Sequence, residues 1–302
     1  MDGTAGSPPA APPSTPPTPR PIYGDAHPDV APPLGAWGDL GRDVVLGVVS
    51  RFSRFVLTWM NTTTVSNYDA LLDNMTKRER PRGLITVSNH ASTFDDPGVL
   101  SALIPPAYFA TEREHGGIRW TMCTKEICAS GPWTHKFFAA GKTVPISRGG
   151  GVNQAVMRTM AERVSVGDWL HIFPEGRVSP PDEKQGELGR LKWGLGKMLC
   201  DVHELGGPPP VVLPFWHTGM ERVKPYGVGV LRAGERIHVT VGEPIDFGDL
   251  VRRCGRCGTE KKKERLFREM MSRVEEKMLE TRARNLRERA EREHEKEKDK
   301  GA

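Results

Sequence analysis

Four short blocks hold the residue types that could do chemistry. The first is Asn89-His90-Ala91-Ser92-Thr93-Phe94-Asp95-Asp96-Pro97, directly after the β-branched run Leu84–Ser88. A histidine at a strand end lies on the sheet edge where α/β active sites gather. If a helix opens near Asp95, that carboxylate sits in the first turn and reaches back to the imidazole. The pairing fixes the tautomer and stabilises the imidazolium, leaving the other ring nitrogen as a base. Such a base takes the proton of an alcohol as its oxygen attacks an acyl carbon, with no enzyme nucleophile. Spacing alone is unspecific, because His294 and Asp299 repeat it in a charged tail. The plainer alternative at His90 is a capping aspartate beside a structural histidine.

The second block is Gly141-Lys-Thr-Val-Pro-Ile-Ser-Arg148-Gly-Gly-Gly151. An arginine beside a glycine-rich helix start joins a guanidinium fork to free backbone N–H groups and suits a phosphate ester. A solvated turn is the alternative. The third is Phe173-Pro174-Glu175-Gly176-Arg177, where a carboxylate and an arginine meet at another strand end. It reads as a headgroup contact, as a brace for the other arginine, or as a structural turn. The fourth is the apolar run Val211–His217 with Pro214 at its centre, where a strand disfavours proline. It lines an acyl-chain pocket or is plain core.

These blocks need a scaffold. Leu84–Ser88, a short run near Cys123, Thr143–Ile146, Trp169–Phe173, Val211–Trp216 and Ile237–Val241 read as strands. Val152, Val156, Met160 and Val164 lie four apart in a helix opened by Arg148–Gly151 and capped by Gly167. Strands alternating with helices give an α/β class, a mixed β-sheet covered by helices. Residues 43–60 place Val45, Val48, Val49, Phe52, Val56 and Trp59 on one stripe, with Arg51 and Arg54 away from it. That segment is either an ordinary packed helix or one lying in a membrane interface.

The chain has 302 residues, 37% apolar and 27% charged, with a net charge of +5. No apolar run is long enough for a spanning helix. A pI near 9.0 favours an anionic partner, nucleic acid or membrane. The charged tail argues against nucleic acid, because Glu and Asp dilute its basic residues almost one for one. The organisation expected is a disordered Pro-rich head over 1–36, a membrane-associating helical segment over 43–80, a catalytic domain over 81–258 and a charged helical tail over 259–302. Beyond Thr281 the tail lacks an apolar stripe and reads as solvated and frayed. The head has neither a signal-peptide core nor an Arg-rich presequence pattern. Cys123, Cys128, Cys200, Cys254 and Cys257 are too scattered for a disulfide scaffold, and unpaired thiols are expected. There is no G-x-S-x-G, H-E-x-x-H, Walker loop or G-x-G-x-x-G, and the lone C-x-x-C at 254–257 makes no zinc site.

In this order and spacing the four blocks resemble the glycerolipid acyltransferase superfamily. The segments LITVSNHASTFDDP (84–97), RWTMCTKEIC (119–128), FFAAGKTVPISRG (137–149), HIFPEGRVS (171–179), RLKWGLGKML (190–199) and VLPFWHTGM (212–220) resemble its tafazzin branch. Acyl-CoA-dependent relatives usually carry a threonine before the arginine of the third block. Here Arg177 follows Gly176 directly, and tafazzins also place a basic residue there. The resemblance implies His90 as catalytic base with Asp95 as partner, and Arg148, Glu175, Gly176 and Arg177 around the substrate phosphate and headgroup. It implies transfer of an acyl chain from a phospholipid to a lysophospholipid, as in remodelling of monolysocardiolipin to cardiolipin. It also implies an anionic membrane surface as partner, a monotopic mitochondrial location facing the intermembrane space, and room for a membrane-bound oligomer. Three rivals stand beside it: an acyl-CoA-dependent lysophospholipid acyltransferase, an N-acylphosphatidylethanolamine synthase, and a non-catalytic lipid-binding protein of the same fold.

Overall fold

The computed structural model describes residues 38–108, 117–179 and 187–301, and the Pro-rich head lies outside these. Helix α1 (Gly38–Phe55) runs into a π-type turn and then β1 (Thr62–Ser66), α2 (Tyr68–Thr76), β2 (Leu84–Ser88) and α3 (Asp95–Leu103). Strand β3 (Thr121–Thr124), the single turn α4 (Lys125–Cys128), α5 (Pro132–Ala140), β4 (Thr143–Ile146), α6 (Ala155–Ser165) and β5 (Trp169–Ile172) follow. The chain closes with α7 (Gly194–Glu204), β6 (Val211–Thr218), α8 (Met220–Val223), β7 (Arg236–Val241), α9 (Gly248–Val251) and α10 (Glu260–Gly301).

Five strands form one sheet in the order β1-β7-β6-β2-β5, and β3 pairs with β4. A parallel bridge from Trp120 to Leu170 joins the small sheet to the β5 edge. Only the β6–β7 pairing is antiparallel. Strands β2, β3, β4, β5 and β6 therefore run in the same direction and end on one edge, where all four blocks deliver their polar residues. Both faces are covered, so β2 is buried at every position, as central parallel strands are. Ile85 and Val87 face one core with α6, α7 and α10, while Leu84 faces the other with α1, α2 and α3. The two-residue pleat sets that division.

Four details of the sequence reading change. Pro214 does occupy a central strand. Its carbonyl accepts from Gly242 N (2.8 Å) just past the end of β7, so the absent N–H falls where that ladder has stopped. The glycine run after Arg148 does not open a helix. Gly149 and Gly151 hold φ of +78° and +70°, conformations outside the helical region, and α6 begins only at Ala155. Gln154 clasps that turn through Ser147 N (2.8 Å) and Gly151 O (2.9 Å). Gly167, by contrast, does end α6 at φ +101°.

Third, Cys200 and Cys254 are disulfide-bonded, 54 residues apart in sequence with Cα atoms 5.3 Å apart. Packing of α7 against the turn after α9 brings them together, which no spacing rule shows. Cys123, Cys128 and Cys257 are free thiols. Fourth, the tail is anchored beyond Thr281 as far as Glu288, and solvated only from residue 290 on. Asn285 is fully buried, donating to His238 O (3.1 Å) and Thr240 Oγ1 (3.0 Å) and accepting from Thr218 Oγ1 (3.2 Å). Glu288 Oε2 accepts from Thr240 Oγ1 (2.7 Å) and lies 2.9 Å from His238 Nε2. Polar side chains make this contact, so a search for an apolar stripe misses it. Asn285→Ala is expected to lower unfolding free energy by about 2 kcal/mol in urea denaturation, since it strands several buried groups. A loss no larger than that of the exposed Leu286→Ala would refute the buried anchor.

Candidate active site

His90 lies two residues past β2, and Asp95 is the first residue of α3. Asp95 Oδ2 is 3.0 Å from His90 Nδ1 and accepts from Ala91 N (2.7 Å) and Ser92 N (2.8 Å). The loop thus wraps around a buried carboxylate oxygen, and the bound imidazole nitrogen is the donor to it. Nε2 is left for the other partner of a proton transfer. The His90 ring stacks on Phe173 with centroids 3.9 Å apart, and its side chain is 18% exposed. Stacking fixes the ring plane, and the residual opening admits a reacting group.

Glu175 was placed among the headgroup contacts from sequence. It is instead buried, with both oxygens engaged. Oε1 accepts from His90 N (3.3 Å), and Oε2 accepts from Ser179 Oγ (2.7 Å) and Gly189 N (2.9 Å). A Cβ on Gly189 would sit 2.4 Å from that oxygen, so glycine is required there. Glu175 therefore ties the third block to the backbone of the first, and Ser179 N donates to His90 O (2.8 Å) in the same tie. Gly176 turns the chain at φ +67°, and Arg177 follows it, exposed, on the loop that wraps His90. Arg148 is exposed on the turn after β4. It shares the sheet edge with His90 but follows β4, which lies beyond β5 and β3 from β2.

Three features escaped the sequence reading. Asn89 and His217 clasp β2 to β6: Asn89 Nδ2 donates to His217 O (2.9 Å), and His217 N donates to Asn89 Oδ1 (3.0 Å). The His217 ring is buried, with Nε2 3.1 Å from Asn89 O and 3.6 Å from Asp95 Oδ2. The fourth block serves as core and clasp, its apolar residues being buried. Arg119 pairs with Asp96 in a buried ion pair and also donates to Gly141 O (3.3 Å). The doubled aspartate was the available signal for that pair. Finally, His171 is fully buried on β5, with Nδ1 2.9 Å from Thr86 Oγ1.

Burial, with the charges of Arg119, His90 and His217 behind it, pushes the His171 imidazole well below its usual range. The unfolded chain therefore binds a proton that the native state refuses. Stability is full above about pH 6.5 and falls as pH drops below it, by up to about 1.4 kcal/mol per unit. Urea midpoints measured between about pH 7.5 and about pH 5.5 are expected to fall, and to fall less steeply in His171→Gln. Equal slopes would show that this ring does not carry the linkage.

A mixed sheet covered on both faces, with a histidine–carboxylate pair at the edge where its parallel strands end, is consistent with the acyltransferase fold. A sequence model of the Acyltransferase family matches residues 71–218. Tafazzin of Drosophila melanogaster is 36% identical over 228 residues, 74% of this chain and 56% of the fly protein's length. Taffazin of Dictyostelium discoideum is 35% identical over 68% of each chain. N-acylphosphatidylethanolamine synthase of Arabidopsis thaliana is 36% identical over 70% of this chain and 72% of its own length. The chain belongs to the acyltransferase family, in the branch that holds the tafazzins.

Proposed function

We propose that this chain moves a fatty acyl group between a phospholipid and a lysophospholipid, with remodelling of monolysocardiolipin to cardiolipin as its setting. The observation that carries the reading is the His90–Asp95 pair, 3.0 Å apart at a sheet edge and locked by two backbone N–H groups. His90 Nε2 takes the proton of the lysophospholipid hydroxyl. The oxygen attacks an ester carbonyl of the donor, and the new ester forms as the old C–O bond breaks. The imidazolium returns its proton to the departing glycerol oxygen. One ester replaces another, so the exchange needs no energy source and runs both ways. Arg148 and Arg177, after neighbouring parts of the same sheet edge, suit the phosphates of two lipids held side by side. Glu175 and Gly176 shape the loop that presents Arg177.

The tafazzin relatives support a mitochondrial membrane as the place of action; a chain seated from one side, on the face turned to the intermembrane space, is part of the proposal. No described helix is long and apolar enough to cross a membrane. An anionic surface attracts juxtamembrane Lys and Arg at about 1 kcal/mol each.

The Arabidopsis relative favours a second reading, in which the amine of phosphatidylethanolamine is acylated. The same imidazole serves either acceptor, so product identity separates them. Purified chain is incubated with liposomes and labelled lysophospholipid, with and without acyl-CoA. Labelled diacyl product without acyl-CoA is the expected result. Product only with acyl-CoA assigns the thioester-dependent alternative, and N-acylphosphatidylethanolamine as the main product assigns the second reading.

A further inference from the structure

Two helices, far apart in sequence, present large apolar side chains outward from neighbouring positions. On α1 and the turn after it, Val48, Phe52 and Trp59 are exposed, Trp59 at 83%. The residues that pack inward are Leu46, Ser50, Ser53 and Val56, so the apolar stripe read from sequence is largely the outer face. Helix α5 lies against α1. On α5, Trp133 is 81% exposed and Phe137, one turn on, 52%, while Ile127 of α4 is 55% exposed beside them. Each helix packs its other side on the domain, which leaves both apolar faces uncovered.

We propose that α4–α5 is a second membrane-seating element, with Ile127, Trp133 and Phe137 entering the same leaflet face as the outer stripe of α1. It rests on the acyltransfer reading, and it places a membrane-seating contact inside the catalytic domain, whereas the sequence reading put membrane seating in 43–80. Three observations select a lipid surface. The first is the pairing of aromatic and cation: Lys136 Nζ sits 5.1 Å over the Trp133 ring, the arrangement that holds a helix at headgroup depth. The second is charge: on α4–α5 the basic side chains Lys125 and Lys136 stand against Glu126 alone. Anionic headgroups complement that surface, whereas a two-fold copy would set like charges together. The third is continuity: Phe52 meets Phe94 edge to face at 6.3 Å, and Phe94 lies in the His90–Asp95 loop. The exposed apolar side of α1 thus borders the loop that carries His90. Residues 1–37 are an unsuitable cover, being mostly Pro, Ala, Ser, Thr and Gly with few large apolar side chains.

The test is co-sedimentation of the full chain with phosphatidylcholine vesicles, with and without phosphatidylglycerol. Trp133→Ser with Phe137→Ser is expected to lower the partition coefficient at least about tenfold on the anionic vesicles, with the thermal midpoint unchanged. Lipids brominated on their acyl chains are expected to quench part of the wild-type tryptophan emission, and Trp133→Phe removes part of that quenching. Binding equal to wild type in the double variant, or quenching unaltered in Trp133→Phe, overturns the proposal. So does a lipid-free dimer, seen by sedimentation, that the double variant dissociates while vesicle binding persists. These readouts need no acyl transfer, so an inactive wild type defeats the acyltransfer reading and leaves this result standing or falling by itself.

Discussion

His90→Ala is expected to lower acyl transfer about 10³-fold, within the range that general-base catalysis supplies. The size follows from the surroundings of the ring. Its Nδ1 is committed to Asp95, its plane is set by Phe173, and neither of the described histidines beside it can replace it. His171 is sealed in the core, and His217 turns Nε2 toward Asn89 O. The variant keeps its fold, because Asp95 still accepts from Ala91 N and Ser92 N. Circular dichroism and a urea midpoint within about 1 kcal/mol of wild type establish that. Initial rates with labelled lysolipid on liposomes then measure the loss. Retention of more than about a tenth of the rate would remove His90 from the chemistry. It would also favour the lipid-binding alternative.

Asp95→Asn is expected to cost about 100-fold in kcat with KM little changed. Asparagine preserves volume, and its carbonyl oxygen satisfies the two backbone donors at the Oδ2 position. What disappears is the negative charge that stabilises the imidazolium when the substrate proton arrives. Asp95→Ala is a different experiment. It leaves two backbone N–H groups without their acceptor and is expected to lower stability by about 2 kcal/mol or more. The pair of variants separates charge from scaffold. If asparagine is as active as wild type while alanine fails, Asp95 is a loop brace alone. If both fall in kcat and only alanine loses stability, the carboxylate acts in the reaction.

Glu175 shows how a motif residue acquires its role from the fold. In a linear reading, a carboxylate beside an arginine at a strand end suits a headgroup. In the structure it lies at 4% exposure and accepts from His90 N, Ser179 Oγ and Gly189 N. A buried carboxylate holding several donors is costly to disturb, and its effect on transfer passes through the placement of His90. Arg148 illustrates the reverse. Its exposure and distance from His90 fit a contact to the far phosphate of a large lipid more readily than one to the reacting ester.

By itself the sequence determined the strand–helix alternation, the positions of β2 to β7 and the pairing of His90 with Asp95, but not β1, which lies in the segment 43–80 read as helical and pairs with β7. Those features are local: β-branched runs, a helix start and a five-residue reach set them without distant partners. The helix start at Ala155 departs from the reading because two positive-φ glycines and the Gln154 clasp act against periodicity. Only tertiary structure decided the rest. The Cys200–Cys254 bond, the Asn89–His217 clasp, the Arg119–Asp96 pair and the burial of Asn285 each join residues brought together by packing. The same holds for the outward stripe of α1. Amphipathic periodicity marks an apolar face, but which face meets the protein depends on the surface waiting for it, and here the small residues Ser50 and Ser53 allow the close approach.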